Sequence, residues 1–203
     1  MTEADDTYRT LDGRAEAVFK DRSSKFLAYA CHVESEEEIK QTLDALRKRH
    51  YDATHCCYAW RLGPRGEASR ANDDGEPSGT AGRPILGQLL SNELTDTLIA
   101  VVRYFGGTKL GVPGLINAYR ESAAAAIAEG RVEERTVDVR MEITFSYLTM
   151  NDVMRIVKEE QPRIAEQTFD NLCRMTLSIR ASRSQRLAER LGKVEGLGLE
   201  VKN

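Results

Sequence analysis

Residues 96–120 read DTLIAVVRYFGGTKLGVPGLINAYR, and their reading decides the fold. Residues 98–102 are an unbroken apolar run that ends in Arg103, Tyr104 and Phe105. A short apolar run closed by glycines is the pattern of a strand buried on both faces. The turn Gly106-Gly107-Thr108-Lys109-Leu110-Gly111 follows. Pro113 then opens an alanine-rich helix that closes at Gly130, with proline just inside and glycine just beyond the helix. The loop between strand and helix has two readings. Its backbone N–H groups gather at a helix N-terminus, where partial positive charge favours anions, so it can cradle a phosphate. It is equally a turn that must be tight to return the helix to the sheet. Its spacing matches neither G-x-x-x-x-G-K-[ST] nor G-x-G-x-x-G.

Upstream, residues 14–20 (RAEAVFK) and 24–33 (SKFLAYACHV) read as two strands around Asp21-Arg22-Ser23. Ser35 and Glu38 form a capping box. Ile39, Leu43 and Leu46 give the buried face of the helix that follows. Residues 53–62 (ATHCCYAWRL) make a third strand. His55, Cys57 and Ala59 share one of its faces, and Cys56, Tyr58 and Trp60 the other. Regularity then stops. Residues 63–82, GPRGEASRANDDGEPSGTAG, hold five glycines, two prolines and four carboxylates, and read as a long loop without secondary structure. Loops of this length are usually functional or disordered. Pro84 opens the next helix, with Ile85, Leu86, Leu89 and Leu90 as its buried stripe. Gly79-Thr80-Ala81-Gly82 is a second place where backbone amides can surround an anion. Asp73, Asp74 and Glu76 are of the type that ligates a divalent cation, but their spacing does not fit a calcium loop. A solvated turn is the plainer reading.

Residues 131–138 (RVEERTVD) read as a charged connector. Beyond it come a strand over 139–147, a helix begun at Thr149 that stops before Pro162, and a hairpin of 164–169 and 172–180 around Asp170-Asn171. A helix capped at Ser182 and a last strand over 197–202 end the chain. That βαββαβ order is ferredoxin-like. The N-terminal order is ββαβαβα. The fold class is therefore α+β, with domains expected over residues 1–135 and 136–203.

The 29 basic and 32 acidic residues leave a net charge of −3, which argues against a protein held to nucleic acid by bulk charge alone. Residues from 138 onward hold 11 basic and 10 acidic side chains, so the C-terminal part is the less acidic of the two. No apolar run approaches the roughly 18 residues of a membrane helix. The start MTEADDTYRT is acidic and polar, so the expected location is the cytoplasm, with no membrane partner. Cys31, Cys56, Cys57 and Cys173 include no C-x-x-C, and no metal site is expected from them.

Two segments go beyond pattern. GEPSGTAGRP (residues 75–84) and VVRYFGGTKLGVPGLINAY (residues 101–119) together resemble the signature of the IMPACT family, whose bacterial members are called YigZ. ATHCCYAWR (residues 53–61) is similar to a third, weaker family segment. The resemblance covers about the first 130 residues. It implies an N-terminal domain with the fold of the second domain of ribosomal protein S5, and a small ferredoxin-like domain similar to the last domain of elongation factor G. Eukaryotic relatives bind a ribosome-associated activator of a starvation-sensing kinase; they carry a different extra domain from the one expected here, so that partner does not carry over. The motif positions carried over include His55, Gly75, Glu76, Pro77, Gly79, Thr80 and Gly82. The second segment adds Arg103, Tyr104, Gly106, Gly107, Gly111, Gly114 and Tyr119. Asn117 stands where members usually carry Arg or Lys, which removes one cation.

The function expected is a non-enzymatic binding protein linked to translation, taking RNA or a ribosome-associated protein through its glycine-rich loops. Arginine beside aromatic residues suits stacking on unpaired bases. The candidate binding set is His55, Asp74, Glu76, Gly79, Thr80 and Arg83 from the first segments. Arg103, Tyr104, Gly106, Gly107, Thr108, Lys109, Gly111, Gly114 and Tyr119 complete it. No catalytic residue, metal or cofactor is expected. The alternative is a phosphoryl-transfer or hydrolytic enzyme on the N-terminal domain, with His55 as base and Asp74 or Glu76 holding a metal.

Overall fold

The structure, a computed structural model, describes residues 6–170 and 172–202. Residues 1–5, from which the cytoplasmic location is argued, and Asn171 of the expected hairpin turn lie outside the described residues. The chain divides into two compact units. One is Tyr8–Arg135; the other joins residues 136 onward to the start of the chain through Thr7.

The first unit runs β1 (Thr7–Asp12), β2 (Arg14–Asp21), β3 (Ser24–His32), α1 (Glu36–Arg49), β4 (His55–Leu62), β5 (Ala68–Asn72), α2 (Gly82–Ser91), β6 (Thr97–Tyr104), α3 (Gly111–Glu129) and β7 (Arg131–Thr136). Five strands form an antiparallel sheet in the order β2-β3-β6-β4-β5. β6 lies at its centre, which is why its apolar run is unbroken. Ile99 and Val101 face the core shared with α2 and α3, while Leu98, Ala100 and Val102 face the core under α1. Ile39, Leu43 and Leu46 of α1 are buried there, each contributing about 1.5–3 kcal/mol of transfer free energy. The small side chains Ala118, Ala123 and Ala126 let α3 approach the opposite face closely.

Three strands depart from the sequence reading. Residues 68–72 are not loop but β5, paired on β4 from Tyr58↔Asn72 to Leu62↔Ala68. Residues 131–136 are not a connector but β7, which pairs with β1. All three are short and polar, and their pairing rests on backbone hydrogen bonds that leave no apolar alternation to read. The helix α1 is capped as expected, Glu38 N donating to Ser35 Oγ at 3.3 Å. The Glu38 carboxylate, however, accepts from the amide of Glu34, one residue before the cap.

The second unit runs β8 (Asp138–Phe145), a short 3₁₀ turn (Tyr147–Thr149), α4 (Met150–Glu160), β9 (Arg163–Phe169), β10 (Cys173–Arg180), α5 (Ala181–Leu191) and β11 (Gly198–Lys202). Its antiparallel sheet has the order β11-β8-β10-β9, the ferredoxin-like arrangement. Met141, Ile143, Phe145, Leu177, Ile156 and Leu187 are among the side chains of its core. Ser182 is not the cap of α5, because the helix starts at Ala181. The cap comes from the chain start: Asp6 Oδ2 accepts from the Ser182 amide at 2.7 Å, and Oδ1 from Arg180 Nε at 2.6 Å. No helix among the described residues is long and apolar enough to cross a membrane.

Candidate functional site

Where β6 ends and α3 begins, polar side chains converge under the first unit's aromatic core. Arg103 is the last residue of β6 on the α3 side of the sheet, because alternation along a strand puts it on the face of Val101. It lies opposite His55 of β4 in register. Glu76 reaches in from the loop between β5 and α2. Its Oε1 accepts from Arg103 Nη1 at 2.5 Å and from the Tyr119 hydroxyl at 2.8 Å. Arg103 is 5% and Glu76 8% exposed, so this is a buried ion pair. The guanidinium sits between the rings of Phe26 and Phe105, 5.4 and 5.5 Å from their centroids. Such contacts contribute about 1–2 kcal/mol when water is excluded. Arg103 Nε is buried without a hydrogen-bond partner among the described residues.

His55 Nδ1 donates to the Asp74 carbonyl at 2.8 Å. A carbonyl oxygen only accepts, so the neutral ring carries its proton on Nδ1 and presents a lone pair at Nε2. That atom faces Glu76 Oε2 at 3.9 Å. Cys57 Sγ donates to the Tyr119 hydroxyl. Burial pushes both the Cys57 thiol and the Tyr119 phenol far above their ordinary values, so neither is an activated nucleophile. Cys31 and Cys56 are likewise pushed up by burial, to about 11.

The two glycine loops do different work. In the first, the amides are already occupied. Asp73 Oδ1 accepts from Ala81 and Gly82 at 3.0 and 2.8 Å, and Oδ2 from Gly79 at 2.7 Å. Burial works against the charged form of Asp73, but these amides outweigh it and hold the carboxyl below its ordinary value. The expected external anion at Gly79–Gly82 is thus replaced by a carboxylate of the chain itself. Thr80 closes the same turn through Pro77 O. Asp74 is used too, its Oδ2 accepting from the Cys56 amide at 2.7 Å. Arg83 is exposed on α2.

In the second loop, Gly106 is a packing requirement: a Cβ there would stand 2.1 Å from the Ser23 carbonyl carbon. Its amide donates to Ser24 Oγ. The helix beyond it begins with no side-chain cap. Gly107, Thr108 and Lys109 are exposed, Gly111 takes φ +72°, and Gly114 lets Leu110 pack close. An open cleft of about 370 Å³ lies there, lined by His55, Glu76, Arg103, Phe105, Lys109 and Val112 among others. A larger groove of about 490 Å³ lies between α1 and β3, but no motif residue lines it.

Tyr104 is not in this cleft. Its neighbours in the strand alternation face α1, and its hydroxyl accepts from His50 Nδ1 at 2.9 Å and donates to Asp52. Phe105, half exposed at 48%, is the aromatic that borders the cleft. The candidate binding set omits Phe26, Ser24 and Asp73, which hold the site together, and Asp73 reads in the sequence only as a candidate cation ligand. Only the parity of β3 and β6 signals Phe26 in advance; the amide-accepting role of Asp73 has no signal short of the folded loop. No group of three or more His, Cys, Asp or Glu side chains among the described residues is placed to hold a metal ion.

The Impact N-terminal domain family matches residues 22–127, which contain this whole site. The chain belongs to the IMPACT family. The IMPACT family member YvyE of Bacillus subtilis (strain 168) is 36% identical over 155 residues, covering 76% of this chain and 71% of that protein. The IMPACT family member YigZ of Escherichia coli (strain K12) is 26% identical over 172 residues, covering 84% of each. A crystal structure of a hypothetical protein, at 24% identity, covers 98% of both chains with a TM-score of 0.73, and so shares the fold. Residues 75–84 and 101–119 meet in space at Glu76, Arg103 and Tyr119.

Proposed function

We propose that this chain is a non-enzymatic regulatory protein of translation that binds unpaired RNA in the cleft at the start of α3, in the cytoplasm. The observation that carries the reading is the cleft itself. It puts the exposed Lys109 and the uncapped N-terminus of α3 beside the half-exposed ring of Phe105. A phosphate suits the first two, and an unpaired base suits the third. The link to translation comes from the family, and with it we propose an S5-like N-terminal part (1–135) and a small part (136–203) similar to the last domain of elongation factor G. Arg103 acts from behind, as the support of Phe105 rather than as a base-stacking group. The hydrolytic alternative lacks such support, since the hydroxyl and thiol nearest Glu76 are held protonated by burial.

The test is fluorescence anisotropy of the full chain with a labelled unstructured RNA across a salt series. Binding should weaken as salt rises, and Lys109→Ala should lower the slope by about one phosphate equivalent. No salt-dependent binding, or an unchanged slope in the variant, overturns the proposal. Retention on ribosomes after RNase digestion would point instead to a ribosome-associated protein as the partner.

A further inference from the structure

The cleft contains two hydrogen-bond acceptors that face each other with no donor between them. His55 Nε2 is a lone pair whenever the ring is neutral, because Nδ1 gives its proton to Asp74 O. Glu76 Oε2 takes no hydrogen bond from the described residues, while Oε1 takes two. The Glu76 side chain is 4% exposed, and Glu76 and His55 both line the cleft. The two acceptors lie 3.9 Å apart, and a ligand that covers them without offering a donor takes away the water they can reach.

We infer that this pair reads the exocyclic amino group of an unpaired nucleobase stacked on Phe105. The inference rests on the RNA reading above and names the group recognised. A nitrogen at about 2.9 Å from both acceptors subtends roughly 85° between them. An amino group spans about 120° between its N–H bonds, so each N–H···acceptor angle stays near 150°, inside the favourable range. One NH₂ therefore satisfies both atoms at once. A carbonyl at the same place would meet two acceptors and be rejected. An ammonium ion would match the angle as well, but its surroundings oppose it: Arg103 already neutralises Glu76, and Lys109 and the N-terminus of α3 line the same cleft. A neutral amino group carried on an anionic backbone fits both features.

The probe is an oligoadenylate of about eight nucleotides, compared with the same oligomer made from purine riboside, which keeps the ring and backbone and lacks only the amino group. Adenylate is expected to bind the full chain about tenfold more tightly, the difference left by two unsatisfied acceptors. His55→Ala should bring the ratio close to one. Equal binding of the two oligomers, both weakened by salt, would overturn this inference and leave the RNA reading standing. A tenfold ratio that persists in His55→Ala would move recognition away from this pair and overturn it too. Binding of neither oligomer at low salt would overturn both.

Discussion

Arg103 and Glu76 form an ion pair of 2.5 Å with both side chains more than nine-tenths buried. Removing one partner of such a pair leaves an uncompensated charge in the interior, at a cost of about 3–5 kcal/mol. Arg103→Ala and Glu76→Ala should each lower unfolding free energy by that order in urea titrations. The double variant Arg103→Met/Glu76→Gln should recover part of the loss, because no lone charge remains. A double loss equal to the sum of the losses in the single variants Arg103→Met and Glu76→Gln would show that the pair is not coupled.

Asp73 gives a pH dependence of definite sign. Its carboxyl titrates below the ordinary value of about 3.9 because folded-state amides favour the charged form. Its contribution is therefore complete above about pH 4 and is lost as pH falls through the lower folded value. Asp73→Asn should cost about 1–2 kcal/mol at neutral pH. The difference between wild type and variant should shrink in acid. A difference constant from pH 2 to pH 7, each limit approximate, would mean that the charge of Asp73 contributes nothing.

Gly106 and Gly107 are neighbours with opposite reasons for being glycine. An added Cβ at Gly106 collides with the Ser23 backbone, whereas at Gly107 it meets open space but a φ of +86°. Gly106→Ala should cost about 3 kcal/mol through overpacking against backbone that cannot yield. Gly107→Ala should cost about 1–2 kcal/mol, the penalty of a left-handed residue with a Cβ. Thermal melts of the two variants would order them. Equal costs would mean the Ser23 segment moves aside.

Asp6 caps a helix 175 or so positions away in sequence, through the Ser182 amide. Burial raises its carboxyl, but the hydrogen bonds from Ser182 and Arg180 outweigh this and hold it low. Asp6→Ala should destabilise the second unit by about 1–2 kcal/mol. Amide exchange in the first turn of α5 should speed up, while exchange in β6 stays as in the wild type. Uniform acceleration over both would contradict a local cap.

The sequence made β6, α1 and α3 legible because burial writes itself into side chains: an unbroken run for a central strand, an i, i+4, i+7 stripe for α1. The same logic hid β1, β5 and β7, whose polar residues pair through the backbone. At the site, the parity of β6 separates Arg103 from Tyr104, so their opposite faces can be read from Val101 and Val102. The glycine run was ambiguous for a physical reason. A glycine that admits a ligand and a glycine that admits neighbouring backbone carry the same letter, and Gly106 and Gly107 differ only once Ser23 is in place. Asp73 illustrates a further limit, since a carboxylate among glycines reads as a cation ligand until the amides it accepts are seen.

The second unit does not occupy one continuous length of chain, since Asp6 is part of it and the intervening 128 residues from Tyr8 to Arg135 are not. Severing the polypeptide near Thr136 therefore does not yield two whole parts. The downstream piece would leave its own helix cap behind on the other fragment. Shuffling of such a module between genes would have to carry both ends or supply a substitute acid. A protease acting there would likewise weaken one product at the moment of release, so that full-length chains outlast their fragments.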